Sequence, residues 1–415
     1  MPGSLLSYPK FCCFWVARFA TLLAQSSTVL AIGWQVYDIS RRTLDVRGSS
    51  FNLGLIGLVQ FLPLLVSILV SGWVCDRVER TLVARLAVTL LASCASCLAW
   101  LAWRGSHDLG IIYLLAGFLG IVRAFYMPAM TALVSRLVPP EMLPRAVAAS
   151  AMAGRTGAIL GPMAGGFAFG IAPCYAFLLS VTLALVSLAA LTLVGAQPNQ
   201  APPRGEARIR HEMSAGIHYM IANRLLLGVM SLDLFATLLG GITALLPVFA
   251  RDVMMIGPSG LGLLRGAPAV GALSVAIFFS LKPLDRQVGA IMLGAVTLFG
   301  LATMAFGISR WLPLSLLFLV ILGAADMVSV FIRQAMMQLT TPDSMRGRIG
   351  ALATLSVSAS NELGELESGM VSALMGPVSA VIVSGALAAG VSLLWMRLFP
   401  EIVQAHMFPK SQESS

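Results

Sequence analysis

The chain has 415 residues, of which 58% are hydrophobic and 11% charged, and its formal net charge is +9. Soluble domains carry about a quarter charged residues, so a soluble fold is excluded: it could not hide this much apolar surface. The basic residues are scattered among short polar stretches, which excludes the concentrated positive face of a nucleic-acid binder.

In chain order, mostly apolar runs of 22 to 29 residues recur at 12–37, 53–74, 81–103, 110–137, 145–170, 173–195, 224–250, 258–281, 287–309, 312–340, 347–373 and 377–399. At about 1.5 Å of rise per residue, each is long enough to cross a hydrocarbon core of about 30 Å. Helices satisfy their own backbone there, so the expected fold is an all-α membrane protein with twelve transmembrane helices in two six-helix halves. The first run is too long for a cleaved signal peptide and too rich in Arg18, Gln25, Ser26 and Gln35; it is expected to remain as a membrane helix. The six cysteines fall in or beside apolar runs, at spacings that suit neither a disulfide framework nor a zinc site.

Lys and Arg collect in cytoplasmic loops of membrane proteins. With the N terminus inside, 16 of the 27 basic residues fall on the cytoplasmic side, 6 on the other and 5 within helices. Both termini are therefore expected to be cytoplasmic. The long connection at 196–223 opens with a proline-rich stretch, Gln197 to Pro203, that reads as an extended tether. It then places Ile209, Met213, Ile217, Met220 and Ile221 opposite Arg208, Glu212 and His218, the pattern of a helix lying on a membrane surface. The expected organisation is an N-terminal half at 1–195, this linker at 196–223, a C-terminal half at 224–400 and a cytoplasmic tail at 401–415.

An internal repeat supports two halves. Sliding the chain by 203 residues aligns Leu119-Gly120 with Leu322-Gly323, Pro139 with Pro342, Arg145 with Arg348, Leu160-Gly161 with Leu363-Gly364, and Gly166 with Gly369. Segments 4 and 5 thus map onto segments 10 and 11, as in transporters whose halves are related by an axis along the membrane normal.

Two stretches carry recognisable patterns. Segment 5 contains Gly157-x-x-x-Gly161-Pro162-x-x-Gly165-Gly166, and the loop after segment 2 reads Gly72-Trp-Val-Cys-Asp76-Arg77-Val-Glu-Arg80. The first resembles the antiporter motif of major-facilitator exporters; the second resembles that superfamily's loop signature, with Glu79 where glycine is usual. Gly33-Trp-Gln-Val-Tyr-Asp38, Gly57-Leu-Val-Gln-Phe-Leu-Pro63 and Leu264-Arg-Gly-Ala-Pro268 are similar to the branch of siderophore (enterobactin) exporters and drug:proton antiporters. The resemblance covers essentially the whole chain. It implies a bacterial plasma (inner) membrane transporter that works by alternating access, driven by a proton gradient and without a bound cofactor.

In this reading Asp76 faces a helix N-terminus while Arg77 and Arg80 pair with acids at a cytoplasmic gate. Simple positive-inside topology accounts for the arginines but not for Asp76 at that spacing. The glycines of segment 5 admit a partner helix, and Pro162 frees a backbone carbonyl.

Intramembrane charges cost about 2.5–3.5 kcal/mol each on insertion scales and mark pathways. Asp233, Asp326, Glu362, Glu365 and Glu367 all lie in the C-terminal half, whereas Arg18, Arg123 and Arg155 lie in the N-terminal half. Under the repeat, Arg123 falls on Asp326 and Pro162 on Glu365. The fold resemblance places segments 1, 4, 7 and 10 around a central cavity, with one basic and one acidic wall.

Asp233, Asp326, Glu362 and Glu365 are the expected proton carriers. Burial favours a protonated carboxyl and a nearby arginine an ionised one, so movement between the two loads and releases a proton. The alternative is static pairing with Arg265, Arg333 or Arg123, and for Asp326 the same-face Arg333 is the expected partner. Arg18, Gln25, Trp34, Arg123 and Arg333 are the expected contacts of an amphipathic substrate, since arginine forks suit anionic oxygens and aromatic faces suit planar rings.

No histidine spacing suits zinc, and the chain has no phosphate-binding glycine loop and no soluble domain for nucleotide hydrolysis, so an enzyme is not expected. The partners expected are a small amphipathic molecule of siderophore-like or drug-like kind, protons and the bilayer, with a monomer as the working unit. A proton-coupled importer, a lysophospholipid transporter or a transporter-like receptor or scaffold of the same fold remain as alternatives.

Overall fold

The computed structural model describes residues 5–197, 216–282, 284 and 286–405, with backbone alone for Leu69, Trp73, Asp76, Asp343, Ser344, Arg346, Gly347 and Ala351. Among the described residues twelve long helices follow in order: α1 (Pro9–Ser40), α2 (Val46–Arg77), α3 (Arg80–Trp103), α4 (Leu109–Leu133), α5 (Leu143–Ile171), α6 (Pro173–Val194), α7 (Arg224–Gly240), α8 (Gly257–Leu281), α9 (Val288–Ile308), α10 (Leu312–Thr340), α11 (Asp343–Met375) and α12 (Pro377–Leu398). Their borders follow local chemistry. Prolines in the first turn open α1, α5, α6, α10 and α12, where a missing N–H costs nothing. Gly376, at φ 87°, separates α11 from α12 in a left-handed conformation that a side chain would strain.

Among the described residues, ten spans are long and apolar enough to cross a membrane. The two long helices outside that set are α5 and α11. Glycines and Arg155 dilute the apolarity of α5, and Glu362, Glu365 and Glu367 that of α11. They are thus the two helices that carry sequence patterns rather than oily surface.

The seventh run departs from expectation, for it is not one continuous helix. α7 stops at Gly240, and short helical turns at Thr243–Leu245 and Leu246–Val248 lead into a π-helical turn at Phe249–Val253. Gly240-Gly241 weakens the helix, and Pro247 withholds a backbone donor. The Ser368 hydroxyl of α11 donates to the carbonyl of Gly241, re-satisfying a backbone group that the break sets free.

The helices sort into two compact units. The first holds α1, α3 to α6, α2 from Leu58 onward and the start of α8 at Ile256–Gly266. Within it α1 packs on α5 and α6. Small hydroxyls join them: Thr21 Oγ1 meets Ser187 Oγ at 2.6 Å, and Ser187 and Ser180 donate to the carbonyls of Ala17 and Ala24 at 3.0 and 3.2 Å. Such residues hold helices together where no hydrophobic effect separates protein from lipid.

The second unit holds α7, α9 to α12, the start of α2 at Leu44–Gly57 and α8 from Ala267 onward. A buried cluster that includes Val229, Leu293, Ile332 and Trp395 forms its centre. Trp395 Nε1 donates to the Gly228 carbonyl at 3.1 Å, and Ser392 Oγ to Leu293 at 2.7 Å. In this unit residues 216–222 are helical; Tyr219 Oη donates to the Thr340 carbonyl at 3.1 Å and Gly216 lies against Arg348 and Leu352. The expected amphipathic helix is therefore seen only in its last two turns, since Arg208, Ile209, Glu212 and Met213 lie outside the described residues.

The repeat shows itself in helix crossings. A methyl at Gly120 would overlap the Gln60 carbonyl of α2, and one at its repeat partner Gly323 would overlap the Pro268 carbonyl of α8. Gly166 meets Gly262 at the start of α8, while its partner Gly369 meets Gly54 at the start of α2. Equivalent glycines thus make equivalent crossings in each unit.

Candidate transport site

In the second unit, α7 and α10 bring Asp233 and Arg333 into a direct ion pair, with each side chain only 11% exposed. Beside it is a small cavity of about 20 Å³, lined among others by Asp233, Thr237, Asp326, Ser329 and Phe299. The partner that sequence spacing assigned to Arg333 was Asp326, two turns away on its own helix. The structure instead turns Arg333 across to α7. Asp326 faces the same cavity from α10. Two carboxylates therefore line one small cavity, and Arg333 pairs with one of them, an arrangement in which moving one proton changes who pairs with whom.

The three glutamates of α11 separate. Glu362 is 6% exposed and Glu365 half-buried. The start of α2 passes over both: a Cβ built at Gly57 would lie 2.7 Å from the Glu362 carbonyl and 3.4 Å from Glu365 Oε2. Glu367 accepts a 3.5 Å hydrogen bond from Ser368 near the α7 break. Sequence reasoning on α11 alone missed this cover. The spacing Gly54-x-x-Gly57 was its signal, for it puts two bare backbone positions on one helix face.

In the first unit, Arg18 of α1 lies half-buried beside Tyr126 of α4. Its guanidinium rests on α5 at Gly154, where a Cβ would be 3.3 Å from Nε, and Nε makes no hydrogen bond. Gln25 also has a buried amide nitrogen without a partner. Trp34 is 7% exposed and meets Phe169 of α5 edge to face, with ring centroids 6.5 Å apart. Arg123 is half-buried on α4. Arg155, expected to be buried, is exposed on α5; two residues along the helix put it on the far side from Gly157, which α1 approaches closely.

Three of the segment-5 glycines serve that approach. A Cβ at Gly157 would stand 2.6 Å from the Phe19 carbonyl, and one at Gly161 2.7 Å from the Leu23 carbonyl. Gly165 continues the face against Ser27, whereas Gly166 turns to Pro258 and Gly262. The Pro162 carbonyl lies on that second side, 3.1 Å from where Gly262 would carry a Cβ.

Around the loop after α2, Arg77 is exposed and Arg80 donates from Nη1 to the Ala132 carbonyl of α4 at 3.3 Å. Gly72 has no neighbour within 4 Å of a built Cβ. The side chain of Asp76 lies outside the described residues. Glu79, at the position where the signature has glycine, accepts a hydrogen bond from the Gln197 backbone N–H at 3.1 Å, just past the end of α6.

Ten apolar spans among the described residues, repeat-related crossings and a small cavity lined by two carboxylates define a multi-pass membrane protein built for transport. The chain belongs to the Major Facilitator Superfamily, whose family model matches residues 14–365. Among curated proteins it is 27% identical over 407 residues to an enterobactin exporter, EntS, of Citrobacter koseri, covering 96% of this chain and 94% of the relative. It is 28% identical over 404 residues to the Escherichia coli O1:K1 protein of the same name, covering 94% and 92%. Among solved structures, its fold is similar to a POT family transporter in complex with 5-aminolevulinic acid (TM-score 0.74, 12% identity, 94% of this chain and 96% of that one). It is likewise similar to a bacterial homologue of the human lysosomal transporter Spinster (TM-score 0.73, 15% identity, 96% and 99%).

Proposed function

We propose that the protein is a secondary transporter of a bacterial inner membrane that exports a small amphipathic molecule, siderophore-like or drug-like, in exchange for protons. Export and the siderophore-like class are supported by full-length likeness to proteins named enterobactin exporters. The observation that carries the coupling is the buried Asp233–Arg333 pair beside Asp326. With the pair intact, Asp233 is ionised; a proton on Asp233 leaves Arg333 without this acid. The state that holds the substrate then fixes the sign of coupling, and antiport requires the substrate to bind while the acid is ionised. Glu362 and Glu365, covered by the start of α2, are the second set of acids that alternation would uncover. Arg18, Gln25, Trp34 and Arg123 supply guanidinium, amide and aromatic contacts for an anionic, ring-bearing substrate. The proton gradient is the driving force, both termini are cytoplasmic, and a monomer suffices.

Everted membrane vesicles loaded with a pH gradient test this reading. A catecholate siderophore, a hydroxamate siderophore, a cationic dye and a lysophospholipid are offered in turn. Gradient-dependent accumulation of a siderophore is the expected result. Accumulation of the lysophospholipid alone, or of nothing, would contradict it.

A further inference from the structure

The small cavity beside the Asp233–Arg333 pair is lined by two hydroxyls that the pairing of charges does not explain. Asp233 and Thr237 stand one turn apart on α7, as do Asp326 and Ser329 on α10, so each helix turns a carboxylate and a hydroxyl to the same space. The rest of the wall is apolar and includes Val296 and Phe299 of α9. Hydroxyls within helices commonly bond the carbonyl one turn earlier, as Thr297 of α9 does to Leu293 at 3.0 Å. Ser329 is 6% exposed, and among the described residues neither its hydroxyl nor that of Thr237 makes a hydrogen bond. A buried hydroxyl left without a partner is destabilising, so both call for one inside the cavity.

The volume of about 20 Å³ fits one water, which needs roughly 10–15 Å³ and about two to four polar partners. Water's two donors suit the two carboxylates, and its two lone pairs suit the two hydroxyls. Asp233 can serve Arg333 through Oδ2, the atom in the ion pair, and the water through Oδ1. The two acids differ in access: Asp326 is exposed, whereas the Asp233 side chain is largely buried. We infer that one ordered water, held by Ser329 and Thr237, carries protons between exposed Asp326 and buried Asp233. A proton on Asp326 passes to the water oxygen as a water proton passes to Asp233 Oδ1. The water is regenerated, Asp326 becomes ionised, Asp233 becomes neutral, and Arg333 loses its ionised partner. Other charged groups on the helices around α7 lie elsewhere. Glu367 of α11 is next to Ser368 at the α7 break, Glu362 and Glu365 lie under the start of α2, Glu401 pairs with Arg224 at the opposite end of α7 at 3.3 Å, and Arg397 is in the last turn of α12. α9 carries no ionisable residue. Arg333 and Asp326 are thus the charged neighbours of Asp233 at the cavity.

The relay rests on the proton exchange proposed above, so its test reads protonation apart from transport. Infrared spectra of the purified full-length protein follow the protonated-carboxyl bands of Asp233 and Asp326 after an acid jump, assigned with Asp233→Asn and Asp326→Asn. Ser329→Ala with Thr237→Val should slow protonation of Asp233 at least tenfold and leave the Asp326 band as fast as in the parent. Ser329→Ala with Thr237→Ser, which returns one hydroxyl, should be at least threefold faster than that double variant. Asp326→Asn, which keeps both hydroxyls, should also slow Asp233 at least tenfold. Protonation of Asp233 at the parent's rate in either hydroxyl-free or Asp326→Asn protein would overturn the relay, as would an equal loss with Thr237→Ser, which points to packing. Replacing sodium by choline should leave both bands unchanged; bands that move with sodium would overturn it in favour of a cation in the cavity. A parent protein that shows these infrared kinetics but moves no protons in liposomes would refute the exchange while upholding the relay.

Discussion

Asp233 is a carboxylate buried in a lipid-spanning helix, and Arg333 makes that burial tolerable. An isolated buried charge would cost several kcal/mol, whereas a hydrogen-bonded partner offsets much of that. Removing one partner alone is the damaging change. Asp233→Asn and Arg333→Gln should each destabilise the protein by about 3–5 kcal/mol, the usual penalty for leaving one buried charge unpaired. The double variant should recover a substantial part, read as a higher thermal midpoint in detergent than either single. Losses that simply add would show that the two side chains do not depend on each other. Sequence reasoning found both residues, because charges are conspicuous in apolar runs. It paired Arg333 with Asp326 on the same helix, since the contact across to α7 depends on helix rotation, which spacing along one chain segment does not contain. The exposure of Arg155 escaped for the same reason.

Helices of this chain are positioned by bare backbone as much as by side chains. Gly157 and Gly161 seat α5 on α1, and Gly54 and Gly57 seat the start of α2 on α11. Gly72 lies in an equally recognisable pattern, but a Cβ built there would meet no described atom within 4 Å. The two kinds of glycine should therefore respond oppositely. Gly161→Val drives two γ-carbons toward the Leu23 carbonyl and should cost about 1–3 kcal/mol as overpacking. Gly72→Ala removes a flexible residue from a helix and should be neutral or stabilising by up to about 1 kcal/mol. Thermal midpoints of the two purified variants check this, and a larger loss for Gly72→Ala would contradict the close-approach account. The spacing of the segment-5 glycines announced a helix contact. It did not say that α1 is the partner for three of them and α8 for the fourth. The break in α7 was also missed, although Gly240-Gly241 and Pro247 are written in the sequence. A wholly apolar run hides a break, because hydropathy averages over it.

At the scale of the molecule, the gross plan was readable from composition and periodicity. Apolar runs marked where helices lie, and the 203-residue repeat put Gly120 and Gly323 at equivalent places, where the structure shows matching crossings. What could not be read were the contacts that bring Glu365 under α2 and Asp233 against Arg333, since these arise only once helices are packed. Coupling is the property of the whole that these contacts serve. Its direction is set by which protonation state accompanies the substrate across the membrane. The most direct measurement uses the purified protein in sealed liposomes with a pH-sensitive dye trapped inside, challenged from outside with the compound that the vesicle assay selects. Exchange predicts that inward movement of the compound drives protons out, so that the lumen turns alkaline, and that Asp233→Asn abolishes the response. A lumen that acidifies as the compound enters, or a pH that stays constant while the compound accumulates, would contradict proton antiport.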